Sequence, residues 1–205
     1  MVIKEAKFVT SAADKGGFLR TEKPVVAVCG KSNVGKSSFI NMLANRNQLA
    51  RASAEPGRTR LVNYFDFGPF VLADLPGYGF ARVAQGEKQR WARLLDDFFA
   101  EGGVCHVFAL ADIRHEPTAD DKTMIDFLYY TQTPFTVVAT KADKLAKTRV
   151  KEAVRRVAAA FKTGEGNVVA VSAQTRLGRE TVLSVLDGVC SRAAEREENA
   201  QEDAE

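Results

Sequence analysis

Five apolar residues, VVAVC at 25–29, run directly into Gly30-Lys31-Ser32-Asn33-Val34-Gly35-Lys36-Ser37, and a helical pattern carrying Phe39, Ile40 and Leu43 follows at once. No other stretch restricts the chain so severely. The GxxxxGK[ST] spacing predicts a loop whose glycines let the backbone curl until successive N–H groups point inward as a cradle for phosphate oxygens. The N-terminus of the following helix adds partial positive charge. Lys36 is then placed to reach β- and γ-phosphates, and the Ser37 hydroxyl to bind Mg²⁺.

Strand-like and helix-like segments alternate along the rest of the chain. Residues 61–67 and 70–73 read as two strands joined by Gly68-Pro69, a link so short that the pair must be antiparallel. Residues 104–111, 135–139 and 168–171 read as buried strands. Apolar residues recur at i, i+3, i+4, i+7, i+8 in Trp91, Leu94, Leu95, Phe98, Phe99, and similar stripes run through Val150, Val154, Val157, Ala158, Phe161 and through Val182, Val185, Leu186, Val189, Cys190. The expectation is the α/β fold of a P-loop NTPase, a three-layer α/β/α sandwich whose six-stranded sheet is mostly parallel with one antiparallel edge strand. Residues 23–191 would form that domain, residues 1–22 an N-terminal extension packed on it, and residues 192–205 an acidic tail, frayed helix or disordered.

A chain of 205 residues, 45% hydrophobic and 27% charged, suits one soluble core and excludes a disordered or fibrous protein. No apolar run approaches the roughly 20 residues of a membrane span, and MVIKEAKFVT lacks a secretory signal, so a cytoplasmic protein with no membrane partner is expected. Cys29, Cys105 and Cys190 lack CxxC spacing and read as reduced thiols. The net charge of +3 hides an asymmetry: residues 192–205 hold six acids and two bases, and without them 27 basic residues face 20 acidic ones, a net +7. Such a body is compatible with an anionic partner such as RNA.

Three further groups fall at predicted strand ends, where ligands of open α/β sheets bind. Asp74-Leu75-Pro76-Gly77 follows residues 70–73; Asp74 can hold Mg²⁺ through water, and the Gly77 N–H can sense a γ-phosphate. The polar stretch of residues 51–60, ending Pro56-Gly57-Arg58-Thr59-Arg60 and preceding the strand that opens at Leu61, offers Thr59 as a third Mg²⁺ ligand that would order its loop only in the triphosphate state. Thr140-Lys141-Ala142-Asp143 follows residues 135–139. The Asp143 carboxylate can accept both N1–H and N2–H₂ of guanine, a pairing adenine cannot return, with the Lys141 stem along the base. Val171-Ser172-Ala173 can present the Ala173 N–H to guanine O6. The residues that would carry the chemistry are Lys36, Thr59, Gly77 and Asn33.

Taken together, GKSNVGKSSFIN, PGRTRLVNYF, DLPGYGFA, DIRHEPTADD and TKADKL resemble the translation-factor-related (TRAFAC) GTPases, and within them the EngB family (also called YihA or YsxC), over residues 8 to 190. Threonine in place of the commoner asparagine of the TKxD block is itself a trait of that family. The resemblance implies a bacterial GTPase that hydrolyses GTP to GDP and phosphate and acts as a switch in assembly of the large ribosomal subunit, tied to the cell cycle through division and septation. Its expected partners are a guanine nucleotide and ribosomal RNA or protein, with the chain a monomer. Glu55 departs from the family's TPG block, which bears on the first switch.

Tyr78 stands where many Ras-like GTPases place a water-orienting glutamine, so intrinsic turnover is expected to be slow, with a partner or a bound cation supplying the missing stabilisation. Asn33 resembles the asparagine of GTPases that bind K⁺ against the phosphates; alternatively it caps loop backbone groups. Two basic groups, Arg82, Lys88, Arg90, Arg93 and Lys147, Arg149, Lys151, Arg155, Arg156, either pair with RNA phosphates or are solvated helix faces. Asp112-Ile113-Arg114-His115 ends another strand; His115 orders its loop, touches RNA or acts as a base, while His106 lies in an apolar run and reads as structural. The rival function is a nucleotide-gated RNA- or ribosome-binding module with negligible turnover. A metabolic P-loop kinase would need a substrate lid, and no segment is long enough to supply one.

Overall fold

A computed structural model of the chain describes residues 1–50, 61–79 and 85–202. Among these residues seven strands form one sheet in the order β1-β3-β4-β2-β5-β6-β7. They are β1 (Lys7–Ala12), β2 (Val25–Gly30), β3 (Val62–Asp66), β4 (Val71–Asp74), β5 (Val104–Asp112), β6 (Phe135–Thr140) and β7 (Val168–Ala170). The five strands from β4 to β7 across the sheet are mutually parallel, and β3 runs against both of its neighbours.

The expected six strands are therefore seven, and the antiparallel strand is not the edge. β1 lies outside β3 and pairs with it from Lys7↔Asp66 to Ala12↔Val62, with a bulge between Phe8 and Thr10. As an edge strand β1 buries little: Lys7, Phe8 and Val9 are all exposed. The bulge and the charge blunt a row of backbone groups that would otherwise invite another strand.

Five α-helices among the described residues cover the sheet: α1 (Lys36–Ala44), α2 (Gln85–Glu101), α3 (Ala119–Tyr130), α4 (Lys147–Ala160) and α5 (Arg179–Glu202). Alternate residues of each strand face opposite layers, as the period of two requires. Val25, Ala27 and Cys29 of β2 join Leu94, Leu95 and Phe98 of α2, Ile125 and Leu128 of α3, and Val157 and Ala158 of α4. Val26 and Val28 join Phe39, Ile40 and Leu43 of α1 and Val182, Leu186 and Val189 of α5 on the other face. The helical stripes read from the sequence thus face the core.

Two polar devices lock helices that bear on the site. Arg179 Nε and Nη2 donate at 2.9 Å to the carbonyls of Met42 and Leu43 respectively, in the last turn of α1, where carbonyls run short of helical donors. Helix α3 begins in a capping box: the Asp121 carboxylate accepts from the Thr118 N–H at 2.8 Å, and the Thr118 hydroxyl accepts from the Asp121 N–H.

His106 is buried in β5, as its apolar setting suggested, with Nε2 3.1 Å from Thr136 Oγ1 and Nδ1 without a partner among the described residues. Burial first, then the positive charge of Arg192, lowers its pKa to about 4. The unfolded chain therefore binds this proton more tightly, so the stability is intact above about pH 6.5 and is lost as pH falls toward 4. Between pH 7 and pH 5 the loss should be about 2 kcal/mol. Urea unfolding at the two pH values should show a smaller drop in His106→Asn, which cannot titrate.

Candidate functional site

The carboxyl ends of β2, β4, β5, β6 and β7 lie along one edge of the sheet, and the described residues of the phosphate, Asp74–Gly77 and Thr140–Asp143 groups fall there. Gly30 closes β2, and the loop turns at Val34 N–H···O=C Lys31 (3.1 Å) before α1 opens at Lys36. Gly35 holds φ +108°, a conformation that strains any residue with a Cβ. Asn33, at φ 64°, adopts the left-handed region that asparagine tolerates better than most residues. Ser37 lies in the first turn of α1.

Asp74 ends β4 beside this loop, and Lys36 Nζ is hydrogen-bonded to its carboxylate with both side chains largely buried. The Leu75 N–H bonds the Val28 carbonyl at 3.0 Å, and the Pro76 carbonyl accepts from Trp91 Nε1 at 3.2 Å. Gly77 packs against the phosphate loop so closely that a Cβ there would meet Ser32 Oγ at 3.1 Å. Tyr78 is fastened at both ends. Its carbonyl accepts from the Ser32 N–H (3.0 Å) and hydroxyl (3.2 Å), and its buried phenol donates to Asp121 Oδ1 at 3.0 Å while meeting Trp91 edge-on. Burial, followed by the negative groups around it, raises the Tyr78 pKa well above the ordinary tyrosine value.

The third group sits one strand beyond β5. The Thr140 hydroxyl, fully enclosed, donates to the Val34 carbonyl at 2.7 Å with the Ala111 carbonyl 3.1 Å away, tying β6 to the underside of the phosphate loop. Lys141, itself left-handed at φ 62°, reaches back to donate from Nζ to the Asn33 carbonyl at 2.8 Å. A single 3-10 turn, Ala142–Lys144, then presents Asp143. Its Oδ1 accepts from the buried Ser172 hydroxyl at 2.7 Å, and that bond foremost keeps the carboxyl below the usual range, an acceptor at neutral pH. Val171 supports the turn from β7 through Ala142 N–H···O=C Val171 (3.1 Å), and Ala173 is exposed next to it.

Gly57, Arg58, Thr59 and Arg60 lie outside the described residues, as do Arg82 and the Lys88 side chain; Leu61 leads into β3. Arg90 and Arg93 are exposed on α2, and Lys147, Arg149 and Lys151 on α4. Arg155 pairs with Glu165, and Arg156 donates to the Ile113 carbonyl at 2.9 Å, so part of that second basic group is structural. His115 is exposed, and its backbone N–H closes the turn on the Asp112 carbonyl at 3.2 Å. Sequence reasoning missed Asp112, Asp121 and Trp91 as partners of the site. The Thr118-x-x-Asp121 spacing was a readable helix-start signal; the other two contacts leave no local pattern.

A carboxylate, a hydroxyl and a bed of loop amides suit Mg²⁺, which is held by few protein oxygens together with phosphates and waters. Ser37 and Asp74 are the described residues that could hold it. Held there, the ion would supply positive charge to offset that of the nucleotide phosphates.

The family model described as "50S ribosome-binding GTPase" matches residues 25–141, more than half of the chain, from the strand before the phosphate loop to Lys141. Fold and match together make this a P-loop GTPase, an enzyme that hydrolyses GTP. The chain is 42% identical over 189 residues to the "Probable GTP-binding protein EngB" of Pelotomaculum thermopropionicum, covering 91% of this chain and 96% of that one. It is 37% identical over 194 residues to the protein of the same name from Caldanaerobacter subterraneus, covering 94% and 100%. The chain belongs to the EngB family of GTPases. Among solved structures, a probable GTP-binding protein engB aligns over 82% of this chain and 99% of its own, at 22% identity and a TM-score of 0.66. A single-substitution variant of Aquifex aeolicus Era bound to GDP·AlF₄⁻ aligns over 81% and 56%, at 19% identity and 0.63. At these identities the likeness speaks for the fold.

Removing the Thr140 hydroxyl should loosen the phosphate loop from its bed. Thr140→Val leaves a buried carbonyl unpaired and should cost about 1–3 kcal/mol. Thermal melting should fall and GDP binding weaken, while Thr140→Ser retains both.

Proposed function

We propose that this GTPase is a Mg²⁺-dependent switch whose GTP and GDP states control its engagement with the large ribosomal subunit during assembly, with the consequences for cell division and septation that its family implies. Residues 23–191 form the G domain in this reading. Lys36 and the loop amides of residues 30–37 hold the phosphates, and Ser37, Thr59 and Asp74 hold Mg²⁺. Gly77 senses the γ-phosphate, and Asp143 with Ala173 reads guanine. The observation that carries the reading is the convergence of Lys36, Asp74 and Asp143 on one sheet edge, with Asp143 held as an acceptor by Ser172. The family description of ribosome binding supports the partner, and the exposed arginines and lysines of α2 and α4 suit an RNA backbone.

The Tyr78 phenol is committed to Asp121 and does not stand ready to orient water, which favours slow intrinsic turnover. The missing stabilisation would come from the ribosomal partner or from K⁺ at Asn33. The left-handed backbone of Asn33 gives that residue a local reason to be asparagine too, so the cation must be tested directly. Single-turnover GTP hydrolysis should be slow in Na⁺, faster in K⁺, and faster again with purified large subunits. Equal rates in all three would leave a nucleotide-gated binder of negligible turnover.

Base selection has its own test. Calorimetry with Mg²⁺ should show GDP bound far more tightly than ADP, and Asp143→Ala should erase a preference on the order of a hundredfold or more. A preference that survives the substitution would refute the assignment of Asp143.

A further inference from the structure

The segment Asp112-Ile113-Arg114-His115 stands out in the sequence, yet the nucleotide reading gives it no task. Asp112 is the last residue of β5, the strand between the phosphate-loop strand β2 and the base-motif strand β6. Its carboxylate is 17% exposed and fully engaged. Oδ1 accepts from the Arg114 N–H at 3.1 Å and Arg114 Nε at 2.9 Å, and Oδ2 accepts from Arg114 Nη2 at 2.7 Å. Lys141 Nζ lies 2.9 Å from the same Oδ2. Burial pushes the Asp112 carboxyl up, but the bonds from Arg114 and Lys141 more than reverse this and leave it well below the usual range.

Lysine is an awkward residue for a rigid wall. Its four-carbon stem has much rotamer freedom to lose, and one bond to the Asn33 carbonyl leaves several stem conformers open. A second, ionic partner on Nζ removes them. The carboxylate supplying it must itself be fixed, and the planar fork of Arg114 on both oxygens does that. We propose that Asp112 is a positioning residue for the guanine pocket: it pins Lys141 Nζ against Asn33 O so that the apolar stem stands preformed along the base plane, with Arg114 clamping the carboxylate. Affinity is gained by ordering the side chain before the ligand arrives. The inference rests on the reading of Lys141 as a base-plane residue.

A wall does not read exocyclic groups. Asp112 therefore sets how tightly a purine nucleotide binds and leaves guanine selectivity to Asp143.

The test is a double-mutant cycle on the full chain, titrating GDP and IDP with Mg²⁺ against wild type, Asp112→Asn, Lys141→Ala and the double variant. Asp112→Asn should weaken GDP and IDP alike, by about tenfold, the loss of one charge-assisted bond. The double variant should bind no more weakly than Lys141→Ala. If Asp112→Asn binds GDP as wild type does while Lys141→Ala does not, the positioning role falls and the Lys141 reading stands. If the two losses add in full, Asp112 acts by another route and the inference also falls. If Lys141→Ala itself binds normally, both readings fall together. Should Asp112→Asn melt too low to titrate, Arg114→Gln, which releases the same carboxylate, should show a smaller loss of the same kind; unchanged binding there overturns the proposal.

Discussion

A single enclosed hydroxyl, that of Thr140, governs how the two halves of this site face each other. The sheet alone sets strand ends side by side at about 4.8 Å intervals but leaves their loops free to tilt. Thr140 removes that freedom by bonding the Val34 carbonyl from beneath, and Lys141 repeats the tie from above through the Asn33 carbonyl. Both acceptors are backbone carbonyls of the phosphate loop. The loop's own backbone thus supplies the acceptors that seat it. A threonine suffices because only one short bond is needed beneath Val34, with the Ala111 carbonyl completing the hydroxyl's surroundings.

The same logic extends to the edge of the sheet nearest β3. The segment from Asp74 to Gly79 has a backbone or side-chain partner at nearly every step: Lys36 on Asp74, Val28 on Leu75, Trp91 on Pro76, and Ser32 and Asp121 on Tyr78. These partners belong to the phosphate loop with its flanking β2 and α1, to α2 and to α3. A displacement of Gly77 by a phosphoryl group would be felt by all three, since Tyr78 connects Ser32 on one side to the cap of α3 on the other. The proposed switch therefore has a physical route to the helix surface bearing Arg90 and Arg93.

How much of this was legible in the sequence follows from how local each feature is. The phosphate loop, the strand-end aspartates and the helical stripes announce themselves within about a dozen residues, because period and motif are local properties. β1 did not, because an edge strand of pattern KFVTSA buries almost nothing and its bulge breaks the alternation that marks a half-buried strand. Its absence from the sequence reading made β3 look like the edge. Asp112 and Asp121 were visible only as acids near strand and helix ends. Their partners, Lys141 and Tyr78, lie 29 and 43 residues away, and pairings at that separation are decided by the folded sheet.

Tyr78 is where local and tertiary readings meet most usefully. Read locally, it is a poor substitute for glutamine. In the fold it serves another purpose. An aromatic ring with 6% exposure supplies apolar area to the core beneath the switch, and its hydroxyl satisfies a carboxylate that also caps α3. A side chain committed in this way cannot also project toward the γ-phosphate to orient water. The anchoring of the switch and the proposed reliance on an outside group for hydrolysis then have one cause. On the proposed reading the protein would hold GTP until it meets the surface that completes its site, and hydrolysis itself would report the encounter.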